Sequence, residues 1–156
     1  MERREKRLQD PLQTDGKSDV KFTQHYDLKV LTAIAKASGS TALIQESRYL
    51  RRAKFYANGK FWCEILGDIA FYAGTIGKNH FRLIEIAVRK EYQGRGYGRR
   101  MMWRIFGLCR KRGLSKITLR TSRKESAVDF YKKFGGIIVG QKDGDYEMEI
   151  KVCFTA

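Results

Sequence analysis

Proline, cysteine and histidine are scarce in this 156-residue sequence: one proline, three cysteines and two histidines. Cys63, Cys109 and Cys153 are far apart and lack the short spacings of zinc sites or small disulfide scaffolds. They read instead as small buried hydrophobes of a reducing compartment. His25 and His80 have no partner in the sequence pattern and receive no catalytic role, and no metal is expected. No apolar run approaches the roughly 20 residues that span a bilayer. The start, Met1-Glu2-Arg3-Arg4-Glu5-Lys6-Arg7, has no apolar stretch behind its charges, unlike a signal peptide. The expectation is a soluble, cytoplasmic protein with no membrane partner. Acidic residues are also few: 17 Asp or Glu face 32 Lys or Arg, for a net charge of +15.

The surplus is not spread evenly. Residues 89–133 hold 15 basic and 3 acidic side chains, a local excess of +12. Such a concentration suits a polyanionic ligand, a nucleic acid, or a basic helix face held in water. At 42% hydrophobic and 12% aromatic, the chain has enough apolar material for one globular domain. Residues 1–19 are charged and weakly patterned and read as an arm; residues 20–156 read as the domain.

The order of elements follows from periodicity. Val20-Lys21-Phe22 reads as a short strand. Asp27 is placed to cap a helix carrying Leu28, Leu31, Ile34 and Ala35 at helical spacing, ended by Ser38-Gly39-Ser40. A second helix is expected over about Thr41 to Phe55, with a basic side formed by Arg48, Arg51, Arg52 and Lys54. Phe61–Ile65, Ile69–Ile76 and Phe81–Arg89 read as three strands. Gly67-Asp68 and Gly77-Lys78-Asn79 join them into an antiparallel meander. The next helix, Arg99 to Arg112, has Met101, Met102, Ile105, Phe106, Leu108 and Cys109 on one arc. Arg100, Arg104, Arg110, Lys111 and Trp103 lie opposite. Trp103 there either contacts a partner or packs under a loop or the N-terminal arm. Ser115–Thr121 is a strand, and Ser122 with Glu125 resembles a capping box for a helix carrying Val128, Phe130, Tyr131 and Phe134. Ile137–Gly140 and Tyr146–Phe154 close the pattern as a hairpin about Asp143-Gly144.

Between the third strand of the meander and the basic helix stands Gln93-Gly94-Arg95-Gly96-Tyr97-Gly98. A strand, a glycine-rich turn and a helix start make an anion cradle. Glycines let the backbone turn tightly, and the first helical amides and the helix dipole face a negative ligand. The glycine spacing does not fit the dinucleotide fingerprint. The Gly-Lys-Ser at Gly16 to Ser18 lacks the first glycine of a phosphate-binding loop.

Ile86-Ala87-Val88, followed five residues later by Gln93-x-x-Gly96-x-Gly98, resembles the acyl-CoA signature of the GNAT-type N-acetyltransferase superfamily. Ala127-x-x-x-Tyr131-x-x-x-Gly135 resembles a second motif of the same superfamily. The likeness covers about residues 20–154. It implies an α+β (mixed α/β) fold: a six- or seven-stranded, mostly antiparallel sheet with a central splay, flanked by about four helices. It implies acetyl-CoA as co-substrate, bound by Ile86, Ala87, Val88, Gln93, Gly94, Arg95, Gly96, Tyr97, Gly98, Arg99 and Lys124. It also implies Tyr131 as the acid for the leaving thiolate and the Val88 amide as oxyanion donor. Glu85 alternates with Leu83 and Ala87. It is a candidate base, or equally the partner of Arg82 or Arg120 in an ion pair; without the motif, Tyr131 would read as a packing residue. Two positions depart from the superfamily pattern: Lys124 stands where an asparagine is common, and Gly136 where a phenylalanine is.

The implied activity is transfer of an acetyl group to a primary amine of a small molecule or peptide, by a monomer or homodimer. The alternatives are an RNA-directed acetyltransferase of the aminoacyl-tRNA-acetylating toxin type, using the basic surface, and a non-catalytic CoA-binding module.

Overall fold

Apolar residues at every second position build the sheet, and apolar residues at helical spacing build the layers on it. The computed structural model describes residues 21–24, 28–39 and 61–154. Strand β1 is Phe22–Gln24, helix α1 Leu28–Ser38, β2 Phe61–Leu66, β3 Ala70–Ile76 and β4 His80–Val88. A 3-10 turn at Lys90–Tyr92 leads to α2, Tyr97–Arg112. Then come β5 (Lys116–Thr121), α3 (Glu125–Lys132), β6 (Ile137–Lys142) and β7 (Asp145–Lys151). The seven strands form one sheet in the order β1-β2-β3-β4-β5-β7-β6. Only β4 and β5 run parallel, because α2 carries the chain across between them. The arm, Asp27 and the helix expected over 41–55 lie outside the described residues, which contain three α-helices.

Each face of the sheet has its own core. Phe61, Cys63, Ile65, Phe71, Ala73 and Ala87 pack with Leu31, Ile34 and Ala35 of α1. On the other face, Tyr72, Phe81, Leu83, Ile117, Leu119 and Ile150 pack with Met101, Met102, Ile105 and Cys109 of α2 and Val128 of α3. Phe130 of α3 and Phe134, just past its end, continue this layer as an edge-on aromatic pair, 5.3 Å between centroids. Phe134 in turn reaches Phe106 of α2.

Several expectations are corrected by the structure. The helix after the glycine turn begins at Tyr97, with Gly96 as its N-cap, two residues earlier than the helical pattern suggested. Helix α3 is capped at Lys124 and makes no side-chain cap bond, so Ser122 and Glu125 form no capping box. Strand β7 ends at Lys151, short of Phe154. Cys63 and Cys109 are buried, but Cys153 is exposed because it lies past the end of that strand.

Candidate active site at the parting of β4 and β5

Strand β4 carries one residue too many for its neighbour. Ala73 pairs with Glu85, but Gly74 pairs with Leu83, leaving Ile84 as a bulge. A bulge turns the strand and exchanges its faces. Leu83 therefore belongs to the α2-side core, whereas Ala87 belongs to the α1-side core. The expected alternation of Leu83, Glu85 and Ala87 on one face is thus broken. Glu85 lies opposite Ala73, which packs in the α1-side core, so its side chain addresses the α1 side. It is 9% exposed.

The same place ends the pairing of β4 with β5. The parallel register runs from His80–Lys116 to Leu83–Leu119 and stops. Beyond it β4 continues through Val88 and β5 through Thr121 without a shared bond. Arg89 gives its amide to Ile69, beside β3, at 3.0 Å. Backbone groups alternate along an antiparallel ladder. Ala87 and Glu85 therefore also bond toward β3, and the amides and carbonyls of Ile86 and Val88 face the gap. Of the three residues Ile86, Ala87 and Val88, the ladder thus removes Ala87 as a main-chain contact across the gap.

Gln93 closes the end of this edge. Its side-chain Nε2 donates to the Val88 carbonyl at 2.9 Å and to the Ser38 carbonyl at 3.1 Å. Its backbone amide donates to Lys90 O. It therefore joins β4 to the end of α1, and its amide is engaged outside the cradle. The cradle itself begins one residue later. Gly94 and Gly96 have φ of 76° and 91°, a region costly for residues with a Cβ. The first helical bond runs from the Arg100 amide to the Gly96 carbonyl, so the preceding amides lie ahead of the helix ladder. Gly98 meets the Phe130 ring: a Cβ there would stand 3.2 Å from it. This contact seats the first turn of α2 against α3.

Around the turn, Arg95 lies over the Tyr92 ring at 5.6 Å, and Tyr92 packs edge-on against Tyr97. Arg99 is on the first turn of α2, and Lys124 at the start of α3 is exposed. Arg100 is directed elsewhere, over Phe22 of β1 at 5.5 Å.

Tyr131 is half-buried on α3, on the same side of the sheet as α2. Burial, together with the Glu85 charge, pushes its phenol well above the usual tyrosine value, so it stays protonated. The Glu85 carboxylate contributes to that rise although it addresses the α1 side. Arg82 is paired with Glu147 at 3.0 Å, and Arg120 with Asp143 and Asp145. The two cations considered as partners of Glu85 are thus engaged with other carboxylates.

Gly136 has a structural reason that its sequence position did not disclose. A Cβ there would lie 2.7 Å from the Tyr131 carbonyl oxygen and 3.1 Å from Met148. The Gly136 amide donates to that same carbonyl at 3.0 Å. The departure from Gly-Phe therefore brings the chain directly under the residue that carries the phenol. No local signal marked this, because the contact is made by the turn after α3. Among the described residues no group of His, Cys, Asp or Glu could hold a metal ion, and no helix is long and apolar enough to cross a membrane.

Comparison with solved structures gives the same architecture. The crystal structure of PaiA N-acetyltransferase from Thermoplasma acidophilum, in complex with coenzyme A, is similar at TM-score 0.66 and 20% identity. That match covers 84% of this chain and 99% of the other. The ribosomal-protein-S18-alanine N-acetyltransferase from Escherichia coli is similar at TM-score 0.68 and 17% identity, over 87% and 96%. A GNAT-family acetyltransferase structure from Desulfovibrio desulfuricans reaches TM-score 0.71 at 14% identity, over 85% and 99%. At these identities the likeness speaks for the fold. No curated protein sequence matches the chain. The profile described as "Acetyltransferase (GNAT) family" matches residues 29–136, most of the chain, and the chain accordingly belongs to the GNAT acetyltransferase family, enzymes that use acetyl-CoA.

Proposed function

We propose that this acetyltransferase moves the acetyl group of acetyl-CoA directly onto a primary amine of a small molecule or peptide in the gap between β4 and β5. The observation that carries the reading is the edge of β4 at Ile86 and Val88. Its backbone groups face the gap, and it leads through the 3-10 turn at Lys90–Tyr92 to the glycine turn. An extended pantetheine arm would add to that edge as another strand does. Its diphosphate would lie on the amides of Gly94 to Gly98, with Arg95, Arg99 and Lys124 adding screened attraction.

Acetyl-CoA supplies the thioester. The chain's residues supply the proton steps. A lysine-like amine, with a free pKa of about 10.4, is mostly protonated near neutral pH and must lose a proton before it attacks. Glu85, on the α1 side, is the base, directly or through water. As the amine bonds to the carbonyl carbon, the carbonyl oxygen becomes an oxyanion, and the Val88 amide donates to it. The Val88 carbonyl is already bonded to Gln93, which leaves the amide directed to the gap. The carbon–sulfur bond then breaks, and Tyr131, protonated in its buried setting, gives its proton to the thiolate.

The test is acetyl-CoA turnover against a panel of amines and peptides. Tyr131→Phe is expected to lose roughly 10²- to 10⁴-fold in kcat. Unchanged turnover in that variant removes Tyr131 from the chemistry. Tight acetyl-CoA binding with no turnover on any acceptor favours the non-catalytic alternative.

A further inference from the structure

A second concavity lies away from the strand gap. The C-terminal half of α2 and strand β2 enclose a groove of about 340 Å3, within the usual size of ligand clefts, and it contains no residue of the proposed acetyl-transfer site. Trp62, Glu64, Trp103, Arg104, Lys111 and Arg112 are among its lining residues. Gly107 opens it further, since a Cβ at that position would meet nothing within 4 Å.

Hydrogen bonds tie the floor of the groove together. Trp62 Nε1 donates to Glu64 Oε1 at 3.3 Å and to the Tyr72 hydroxyl oxygen at 3.1 Å. Glu64, 3% exposed, also receives the Tyr72 hydroxyl and the Nε and Nη2 of the Arg104 guanidinium. Arg104 is therefore neutralised within the wall. Lys111 and Arg112 are left to set the charge, with Arg112 over the Trp62 ring at 5.0 Å. Trp103, 60% exposed, presents a large ring at the rim. Across its 16 residues α2 contains six basic side chains and no acidic one.

An apolar ligand does not match these cations, and a simple anion has no use for two indoles. A ligand with a flat π face beside a phosphate uses both. A single free nucleotide would draw on little of the basic surplus along α2, whereas a polynucleotide would draw on more of it, Arg104 and the cations of the first turn aside. RNA is the polyanion that commonly offers unstacked bases. We propose that this groove takes an unpaired nucleotide of single-stranded RNA, its base against Trp103 and its phosphates toward Lys111 and Arg112.

The experiment is fluorescence anisotropy of the full chain with a labelled single-stranded RNA oligonucleotide, without acetyl-CoA, over a salt series. It reads binding alone, so its result is separable from the fate of the acetyl-transfer reading. Trp103→Ala is expected to weaken binding about 5- to 150-fold, with Trp103→Phe restoring most of it. Lys111→Glu is expected to lower the slope of log affinity against log salt by about 0.7 or more. Circular dichroism of the variants should match the parent, because both side chains are exposed. The proposal is overturned if the intact chain does not bind the RNA, or if Trp103→Ala binds as the parent does. Equally tight binding of the same RNA as a duplex, or equal displacement by an acidic peptide, also overturns it.

Discussion

Tyr131 owes its protonation to where it sits. Burial first, and the Glu85 carboxylate second, raise its phenol far above the pH range in which an enzyme works. A protonated phenol can donate, so neither edge of a pH–rate profile between acid and mildly alkaline pH should belong to Tyr131. The rise of activity with pH should come from the deprotonation of the amine and its base. The rise is therefore expected to survive in Tyr131→Phe, with the whole curve lowered; steady-state rates across a pH series check this. Gln93 teaches a related lesson. The motif named it as a cofactor residue, yet its side chain joins Val88 to Ser38 and its amide is engaged by Lys90. Sequence shows that a residue recurs in a motif, but not which of its atoms is engaged.

At the level of elements, the decisive contacts hold helices to strands. Gly136 brings the turn after α3 beneath the Tyr131 carbonyl, with no room for a methyl group. Gly136→Ala is expected to cost about 1–3 kcal/mol of stability, the usual range for overpacking, and to lower kcat by moving Tyr131. Thermal unfolding and turnover of the same preparation test both parts. The Glu64 cluster ties β2 and β3 to α2. Burial alone would raise the Glu64 carboxyl, but hydrogen bonds from Arg104, Tyr72 and Trp62, with the Arg104 charge, hold it below its usual 4.5. Above 4.5 the carboxylate is ionised in both folded and unfolded chains, and its stabilisation is fully present. As pH falls through the lowered folded value, the unfolded chain has already bound the proton and the stabilisation is lost. Glu64→Gln should therefore flatten the acid limb of the stability curve and destabilise the protein near neutral pH by about 1–3 kcal/mol. A parent and variant with the same acid dependence would contradict this. The cluster was not visible in the sequence because Glu64 meets Arg104 only through packing.

For the molecule as a whole, the sheet has two cores and one gap. The gap separates β1–β4 from β5, β7 and β6, which share only the short register from His80 to Leu83. A ligand that fills it should act as a brace between the two halves. Acetyl-CoA at about 100 times its Kd should stabilise the folded state by about 2.7 kcal/mol. For a domain of this size that corresponds to a rise in Tm of roughly 5–10 °C. Scanning calorimetry with and without acetyl-CoA measures it, and an unchanged Tm at saturating ligand would argue against the gap as the binding place.

The amino-acid sequence determined the order of the described strands and helices, the glycine turn and the family. These depend on local properties: alternation, helical spacing and glycine's tolerance of positive φ at Gly94 and Gly96. Tertiary structure alone decided the bulge at Ile84, which moved Leu83 and Ala87 to opposite faces. It alone turned Ile86 and Val88 toward the gap, set Gly136 under Tyr131, and brought β2 against α2 to form the basic groove. Each of these depends on which residue of a distant strand or helix lies opposite. That register is a property of the packed sheet and cannot be read from any one segment of the chain.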